Sequence, residues 1–571
     1  KEAKEDFTER MADNRRSSGV LVQAGILAMA SMIVRVIGLL YRAPLTAIIG
    51  DEGNGYYGTA YNIYTIILMV SSYSMPSAIS KLMAQKLAVG EYRNANRVFR
   101  CALTYGVLVG LVGSGLLFFG ARFLVPDVAV CVLQVFAPTV FLFGILGSMR
   151  GYFQARGSMV PTSVSQILEQ LANAVVSIAA AWLLMQTAVG ADPTRRAQLG
   201  AMGSALGTGA GVLIALLFMV FCFRRSKEGR KAEILSDATG KAEKYRIFLR
   251  DTILVITPFM LSGVIMNLTT SLNQTIYMRM LIDLKGAGET ATTTLYGIFS
   301  NKAVVISNIP ISIATAVSSA IIPGISAAYA RRDETGARRQ VGNAIRITSI
   351  VAIPSAVGLA VLARPITMLM FPQMESLELA SSLLSLLAVT VIFYSISTIT
   401  NAALQSIGRM NLPLISAGIA LVVQTVVLVL LLRFTDLDVR ALVLVSILYS
   451  VMIFAVNQYY LRRFLGIRQD VRRDYLQPLV CAALMGAAAK AVYYLVSMAA
   501  EPMRNLPKGF YFRNLAATAA ALLAAVLVYG YTMVRSGTIR RKDLLSMPKG
   551  QLLVRLMEKL HWLPETEKRS A

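Results

Sequence analysis

The chain has 571 residues, 56% of them hydrophobic and 15% charged, with a mean hydropathy of +0.59 and a formal net charge of +25. That balance excludes an ordinary soluble globular domain and places the chain among polytopic membrane proteins. A single histidine, His561, and four isolated cysteines (Cys101, Cys131, Cys222, Cys481) exclude a histidine-based triad, a zinc site and a histidine proton relay within the membrane.

The pattern predicts an all-α polytopic membrane protein with about 14 transmembrane helices. Apolar runs lie near 20–48, 56–87, 97–120, 125–150, 161–189, 199–223, 251–282, 291–326, 342–362, 378–403, 413–433, 439–461, 476–500 and 511–534. Each is long enough to cross a hydrocarbon core of about 30 Å. The first 18 residues are polar and the run after them is too long for a signal h-region, so no cleavable signal peptide is expected.

The first run carries Arg35 and, seven residues on, Arg42. An Arg at the centre of a span costs about 2.5–3.5 kcal/mol on insertion scales and normally faces a water-filled or protein-lined cavity. Seven residues is nearly two helical turns, so the two cations are expected on one face, about 10 Å apart. Two stacked cations in a first span point to an anionic ligand. The second run adds Asn62, Ser71, Ser72 and Ser74, and the fifth holds Glu169, the one clear intramembrane carboxylate. Glu169 is read either as a partner for an inward Arg or as a gate or ion-coupling site for a proton or sodium. In the seventh run Asn267, Thr270, Ser271 and Gln274 fall at i, i+3, i+4 and i+7, one polar face that can line water or substrate or join helices. Arg279 stands near the outer end of that run, with Asp283 just beyond. The eighth run holds Asn301, Lys302 and Asn308, with Pro310 expected to break the helix, and Lys302 is expected to face the cavity. Lys490 lies in the thirteenth.

The chain repeats itself. "MPSAISKLMAQKLAVGEYRNANR" (75–97) resembles "IPGISAAYARRDETGARRQ" (322–340), and Gln154-x-x-Gly157-x-Met159-x-Pro161 recurs as Gln405-x-x-Gly408-x-Met410-x-x-Pro413. The resulting division is a segment 1–18, a six-helix lobe 19–223, a basic linker 224–248, a second six-helix lobe 249–463, two further helices in 474–535 and a tail 536–571. Lys and Arg crowd alternate connections, with nine in 224–250 but none in 50–57. The positive-inside rule then puts both termini in the cytoplasm, which an even number of spans satisfies. The basic surplus is therefore a topology signal and a contact with anionic membrane lipids, not with nucleic acid. The tail segment 544–563 groups Leu552, Leu553, Leu556, Met557 and Leu560 against Arg555 and Lys559, the pattern of an amphipathic helix on the inner leaflet. There is no P-loop and no acidic metal motif, so neither an enzyme nor a cofactor is expected.

Four segments carry a resemblance: "SMIVRVIGLLYRAPLTAIIGDEGNGYYGTAYNIY", "PSAISKLMAQKLAVGEY", "RGYFQARGSMVPTSVSQILEQ" and "LYGIFSNKAVVISNIPISIATAVSSAIIPGIS". They resemble the polysaccharide-biosynthesis branch of the multidrug/oligosaccharidyl-lipid/polysaccharide (MOP) superfamily, in particular the MurJ-type lipid II flippases and the stage V sporulation protein B group. The resemblance implies two lobes around a cationic cavity and a lipid-tail groove from the last two helices. It further implies alternating-access movement of an undecaprenyl-pyrophosphate-linked glycan, lipid II first, from the inner to the outer leaflet of a bacterial plasma membrane. On this reading Arg35, Arg42 and Lys302 are expected to neutralise the pyrophosphate, and the polar residues Asn267, Ser271, Gln274 and Asn301 to contact the headgroup; Lys302 stands only near the family's eighth-helix arginine. Drive would come from membrane potential, Na⁺ or H⁺, and cell-wall synthesis proteins are the implied partners. Arg35 matches the family's first-helix arginine, Arg42 is one position off, and Asn173 stands where relatives carry an arginine. The other readings are a flippase for a teichoic, capsular or spore-cortex precursor, a cation-coupled multidrug exporter, and a polytopic glycosyltransferase, for which Asp51-Glu52 is the only acidic candidate.

Overall fold

The computed structural model describes residues 29–69, 75–237 apart from 191, scattered positions between 239 and 250, 268–409 apart from 331, 411–501 apart from 468, and 509–538. Every regular element in them is helical. They are α1 (Met29–Leu40), α2 (Arg42–Leu68), α3 (Met75–Ala88), α4 (Tyr92–Leu124), α5 (Asp127–Ala155), α6 (Val160–Gln186), α7 (Pro193–Arg225), α8 (Lys227–Leu235) and α9 (268–279). A π-helical turn, Met280–Leu284, leads to α10 (Glu289–Gly297), and a second, Ile298–Ala303, to α11 (Val304–Ala330). Then come α12 (Glu334–Val361), α13 (Ala363–Met370), α14 (Leu377–Ser406), α15 (Asn411–Phe434) and α16 (Val439–Leu465). A third π-helical turn, Arg472–Leu476, opens onto α17 (Gln477–Ala499), and α18 is Gly509–Arg535. Eleven helical stretches among the described residues are long and apolar enough to cross a membrane, counting Glu289–Thr315 and Arg472–Ala499 each as one through its π-helical turn, and twelve if the bent pair α1 and α2 is taken as one span. Part of the seventh predicted run, 251–267, and positions 70–74 of the second lie outside the described residues, as does the predicted tail helix.

The chain divides into two compact units, Lys1–Gly297 and Ile298–Ala571. That division falls after α10, not in the basic segment 224–248 where the sequence repeat was divided. The reason is local. α10 lies against α2 so closely that a Cβ on Gly297 would stand 2.4 Å from the Gly55 Cα, and one on Gly55 would stand 2.6 Å from the Thr293 carbonyl oxygen. Two facing glycines let the helix backbones touch, the usual device where lipid gives no hydrophobic push.

In the first unit, α2 contains a reversal at Gly50, whose φ of 71° and ψ of −179° only glycine adopts cheaply. Leu45 and Ile49, before it, pack on Ala174 and Ala181 of α6. Tyr56, Ala60 and Tyr64, after it, pack with α4, α5 and α7 around Phe136. The first predicted run is not one straight helix: α1 meets α2 at a 45° bend at Tyr41. Pro44 lacks the N–H that would bond the Leu40 carbonyl, and its ring crowds that carbonyl, so the bend sits where the sequence demands it. The expected single face for Arg35 and Arg42 is therefore interrupted. The opposite correction applies to Pro310, through which α11 runs unbroken; the irregular turn is the π-helix just before α11.

α6 and α7 pack along their length through glycines of α7. A Cβ would stand 2.4 Å from the Ala181 nitrogen if placed on Gly203, 2.0 Å from Ser177 Oγ on Gly207 and 2.5 Å from the Glu169 carbonyl on Gly211. After α8, Asp237 accepts hydrogen bonds from the Arg93 amide (2.8 Å) in the first turn of α4 and from Thr239 Oγ1 (2.5 Å) and its amide (3.0 Å). The Thr239 hydroxyl first, then the Arg93 amide, hold its carboxyl below the usual range. In the second unit, Ile325, Val341, Ile345, Ile396, Ile399 and Leu461 form a core among α11, α12, α14 and α16. Leu362, Met485, Ala489, Ala521 and Ala525 join the end of α12 to α17 and α18.

Four helix ends use one chemistry. After α3, Gly90 N–H bonds the Leu87 carbonyl and Glu91 N–H the Lys86 carbonyl; after α11, Arg332 and Asp333 do the same to Tyr329 and Ala328. After α5, Gly157 and Ser158 bond Gln154 and Phe153; after α14, Gly408 and Arg409 bond Gln405 and Leu404. Each is a Schellman cap with its C′ residue at positive φ, between 60° and 79°. The two repeated sequence motifs thus make the same turn twice, with Arg332 filling a place that glycine holds in the other copy.

Replacing Gly203 by Ala is expected to cost about 1–3 kcal/mol through overpacking against the α6 backbone. Gly115→Ala, where nothing lies within 4 Å of the new Cβ, should be neutral or stabilise by up to about 1 kcal/mol. Thermal unfolding of the two purified variants in one detergent tests the pair; equal melting temperatures would show that α6 and α7 do not need the close approach.

Candidate functional site

The close approach of α7 sets a polar column on α6: Glu169, Asn173 and Ser177, four residues apart and so on one face. Arg150, near the end of α5, donates from Nη2 to Glu169 Oε2 at 2.6 Å and from Nε to Ser165 Oγ at 2.9 Å. The Arg150 side chain is 6% exposed and that of Glu169 24%. A carboxylate this short of solvent is bearable beside a guanidinium that is itself held by a second hydrogen bond. One turn along, Asn173 Nδ2 donates to the Tyr41 hydroxyl (3.3 Å), while its Oδ1 accepts from Ser177 Oγ (2.9 Å) and lies 3.5 Å from Thr208 Oγ1 on α7. Tyr41 is the residue at the bend, and it hands the chain to Arg42.

Arg42 is half-buried, beside the hydroxyl groups of Tyr41, Tyr57 and Tyr61. The Tyr57 and Tyr61 rings stack with centroids 5.6 Å apart and both abut Phe136. A guanidinium beside three phenols suits an anion better than a cation. Arg35 is exposed on α1 and has no hydrogen bond or ion pair with a described residue. The bend thus separates an open cation from a sheltered one.

The polar face of α9 serves another purpose in this conformation. Asn62 Nδ2 on α2 donates to Gln274 Oε1 (2.7 Å) and to the Tyr296 hydroxyl of α10 (2.9 Å), and Gln274 Nε2 donates to the Thr59 carbonyl (2.9 Å). Gln274 and Ser271 are buried. Gln274, read as a headgroup contact, is here a fastener of α9 to α2; Asn267 lies outside the described residues. Tyr56 Oη sits 2.5 Å from Glu52 Oε1 and 3.3 Å from Thr290 Oγ1, a second polar tie from α2 to α10.

In the second unit Lys302 does not face open space as expected. It sits in the π-helical turn Ile298–Ala303, is 1% exposed, donates from Nζ to Ser376 Oγ at 2.7 Å and lies 5.9 Å from the Phe371 ring centroid. The extra residue in a π turn shifts the side-chain phase, so a position that helical periodicity put on a cavity wall points into the unit instead. Asn301 beside it is half-buried, and Asn308, Arg279 and Lys490 are exposed. Arg150 and the tyrosines were missed as site residues. Arg150 stands at the very end of the predicted run 125–150, while Tyr57, Tyr61 and Tyr64, at i, i+4 and i+7, form a legible aromatic stripe.

The family described as "Polysaccharide biosynthesis protein" matches residues 20–329, more than half of the chain, including Arg35, Arg42, Arg150 and Glu169. The chain belongs to that family. The family described as "MatE" matches residues 263–430. Lipid II flippase MurJ of Bacillus subtilis (strain 168) is 23% identical over 512 residues, covering 84% of this chain and 89% of the relative. Stage V sporulation protein B of the same organism is 24% identical over 537 residues, covering 93% and 98%. Among solved structures, lipid II flippase MurJ in an inward closed conformation matches with a TM-score of 0.64 at 14% identity, over 89% of this chain and 97% of that one. An inward-facing multidrug resistance MATE family transporter of the MOP superfamily matches with a TM-score of 0.57 at 18% identity, over 78% and 98%. The chain thus shares a multi-pass helical fold with both kinds of transporter.

Glu169→Gln is expected to destabilise the protein by about 3–5 kcal/mol, because Arg150 is left charged and buried. The double variant Arg150→Met/Glu169→Gln should recover much of the loss. A double-mutant cycle on thermal unfolding measures this; additive single effects would show that the pair does not hold α5 to α6.

Proposed function

We propose that this protein is a flippase that carries an undecaprenyl-pyrophosphate-linked glycan precursor, lipid II for peptidoglycan synthesis, from the inner to the outer leaflet by alternating access of two lobes. The observation that carries the reading is the uncompensated charge of the first unit: Arg35 is exposed and Arg42 lies among phenols, while the one mid-span carboxylate is bound to Arg150. Family membership and the likeness to lipid II flippase MurJ over most of both chains support it. In this reading Arg35 and Arg42 neutralise the pyrophosphate and the Asn and Ser groups of the spans meet the sugar and peptide. The helices of 474–535 guide the isoprenoid. Lys302 joins them only in a conformation that frees it from Ser376. An inside-negative potential favours outward movement of an anionic headgroup by about 2.3 kcal/mol per charge per 100 mV, so ATP is not required.

A second lipid-linked substrate, such as a spore-cortex precursor, is favoured by one observation: the match to stage V sporulation protein B spans 93% of this chain against 84% for lipid II flippase MurJ. A multidrug exporter, by contrast, needs a carboxylate free to meet a cationic drug, and Glu169 is engaged.

Acute depletion of the protein should remove lipid II from the outer surface, as read by an impermeant lipid II probe. The wild-type chain should restore it, and Arg35→Ala, inserted at normal abundance, should not. Normal lipid II exposure with Arg35→Ala as the only copy would remove Arg35 from the mechanism. Unchanged exposure after depletion would transfer the reading to another lipid-linked glycan.

A further inference from the structure

The second unit holds a small cavity of about 50 Å³ between α13, α17 and α18, lined by Arg364, Pro365, Tyr493, Phe510, Arg513 and Asn514. Its back wall is rigid. Asn514, 3% exposed, donates from Nδ2 to the Pro365 carbonyl (3.0 Å) and accepts at Oδ1 from the Tyr493 hydroxyl (2.8 Å), tying the three helices together with both ends of one amide. Two guanidinium groups project from this wall. Arg513 lies over the Phe510 ring, 5.4 Å from its centroid, and Arg364 opens from the first turn of α13.

Each arginine has a carboxylate partner in this conformation: Arg364 Nε donates to Glu378 Oε1 at 2.8 Å, and Arg513 bonds Glu501. The carboxylates are the exposed halves of these pairs, at 73% for Glu378 and 52% for Glu501, whereas the Arg513 side chain is only 18% exposed. Exposed pairs of this kind hold weakly and exchange with other anions. Arg513 is the sheltered member of its pair, Arg364 is 57% exposed beside Glu378, and both acids face outward, an arrangement in which another anion can take their place. The planar fork of arginine matches phosphate oxygens in pairs. On the same two helices Tyr494, Leu495, Met498 and Phe512 are 50–73% exposed, an apolar surface that suits acyl chains. A ligand that satisfies both features carries a phosphate and a hydrocarbon tail.

We propose that Arg364 and Arg513 form a binding site for the phosphate of an anionic membrane phospholipid, which displaces Glu378 and Glu501 and lays its chains along α17 and α18. The site uses none of Arg35, Arg42 and Lys302 and does not rest on the flippase reading.

Native mass spectrometry of the full-length protein, given phosphatidylglycerol or phosphatidylcholine with identical chains, tests it. Phosphatidylglycerol should be retained several-fold over phosphatidylcholine, and Arg364→Gln/Arg513→Gln should bring it down to the phosphatidylcholine level. Glu378→Gln/Glu501→Gln should instead raise retention, a gain that a misfolded protein cannot show, and the gain should vanish when both arginines are also replaced. Millimolar inorganic phosphate should leave the lipid in place. Equal retention of the two lipids by the wild-type chain, a glutamine-variant gain that survives loss of the arginines, no gain at all, or displacement by inorganic phosphate would each overturn the proposal.

Discussion

Gly203, Gly207 and Gly211, one turn apart on α7, remove the side chains that would otherwise hold α6 away, and the polar column of α6 is placed by that approach. The contact is between backbones: the missing Cβ atoms would strike the nitrogen of Ala181, Ser177, and the carbonyl of Glu169. Because α6 cannot slide or rotate against such a surface without a clash, Glu169, Asn173 and Ser177 have fixed depths. Arg150, Tyr41 and Thr208 then meet them at hydrogen-bond distance from α5, the bend before α2, and α7. In a membrane, where burying apolar surface gives helices little reason to associate, this kind of packing carries the load.

That geometry decides the charge balance. An isolated carboxylate in a span would invite a cation, and an isolated arginine would invite an anion or a rotamer that reaches the interface. Pairing Arg150 with Glu169 cancels one of each. What remains at the start of the unit, among the described residues, are the two arginines on either side of the Tyr41 bend. The sheltered one is surrounded by groups that donate or share protons, not by acids. A fold shared with a multidrug resistance MATE family transporter thus carries two arginines at this bend without any change of architecture.

The second unit uses its cations differently. Lys302 is withdrawn into a π-helical turn and held by Ser376, the residue that opens α14. The polar residues of α9 and α10 are also engaged, with Asn62, Gln274 and Tyr296 bonded to one another within the first unit. Polar side chains that the sequence pattern offers to a substrate are thus satisfied by the protein itself in this conformation. Substrate contact by any of them requires these bonds to exchange.

Much of this protein was determined by local rules that can be read along the chain. Apolar runs set the helical membrane class, Pro44 sets the bend before Arg42, and the repeated Gln-x-x-Gly motifs set the same Schellman cap after α5 and after α14, because each depends on neighbours within a few residues. The anomaly of Arg35 was equally legible, since a guanidinium in an apolar run is costly wherever the run ends up. What tertiary structure alone decided were the partnerships. Glu169 meets Arg150, Gln274 meets Asn62, and Lys302 meets Ser376 rather than open space. Each choice depends on the phase and separation of two helices distant in sequence, set by glycine contacts and a π-helical turn that periodicity does not reveal.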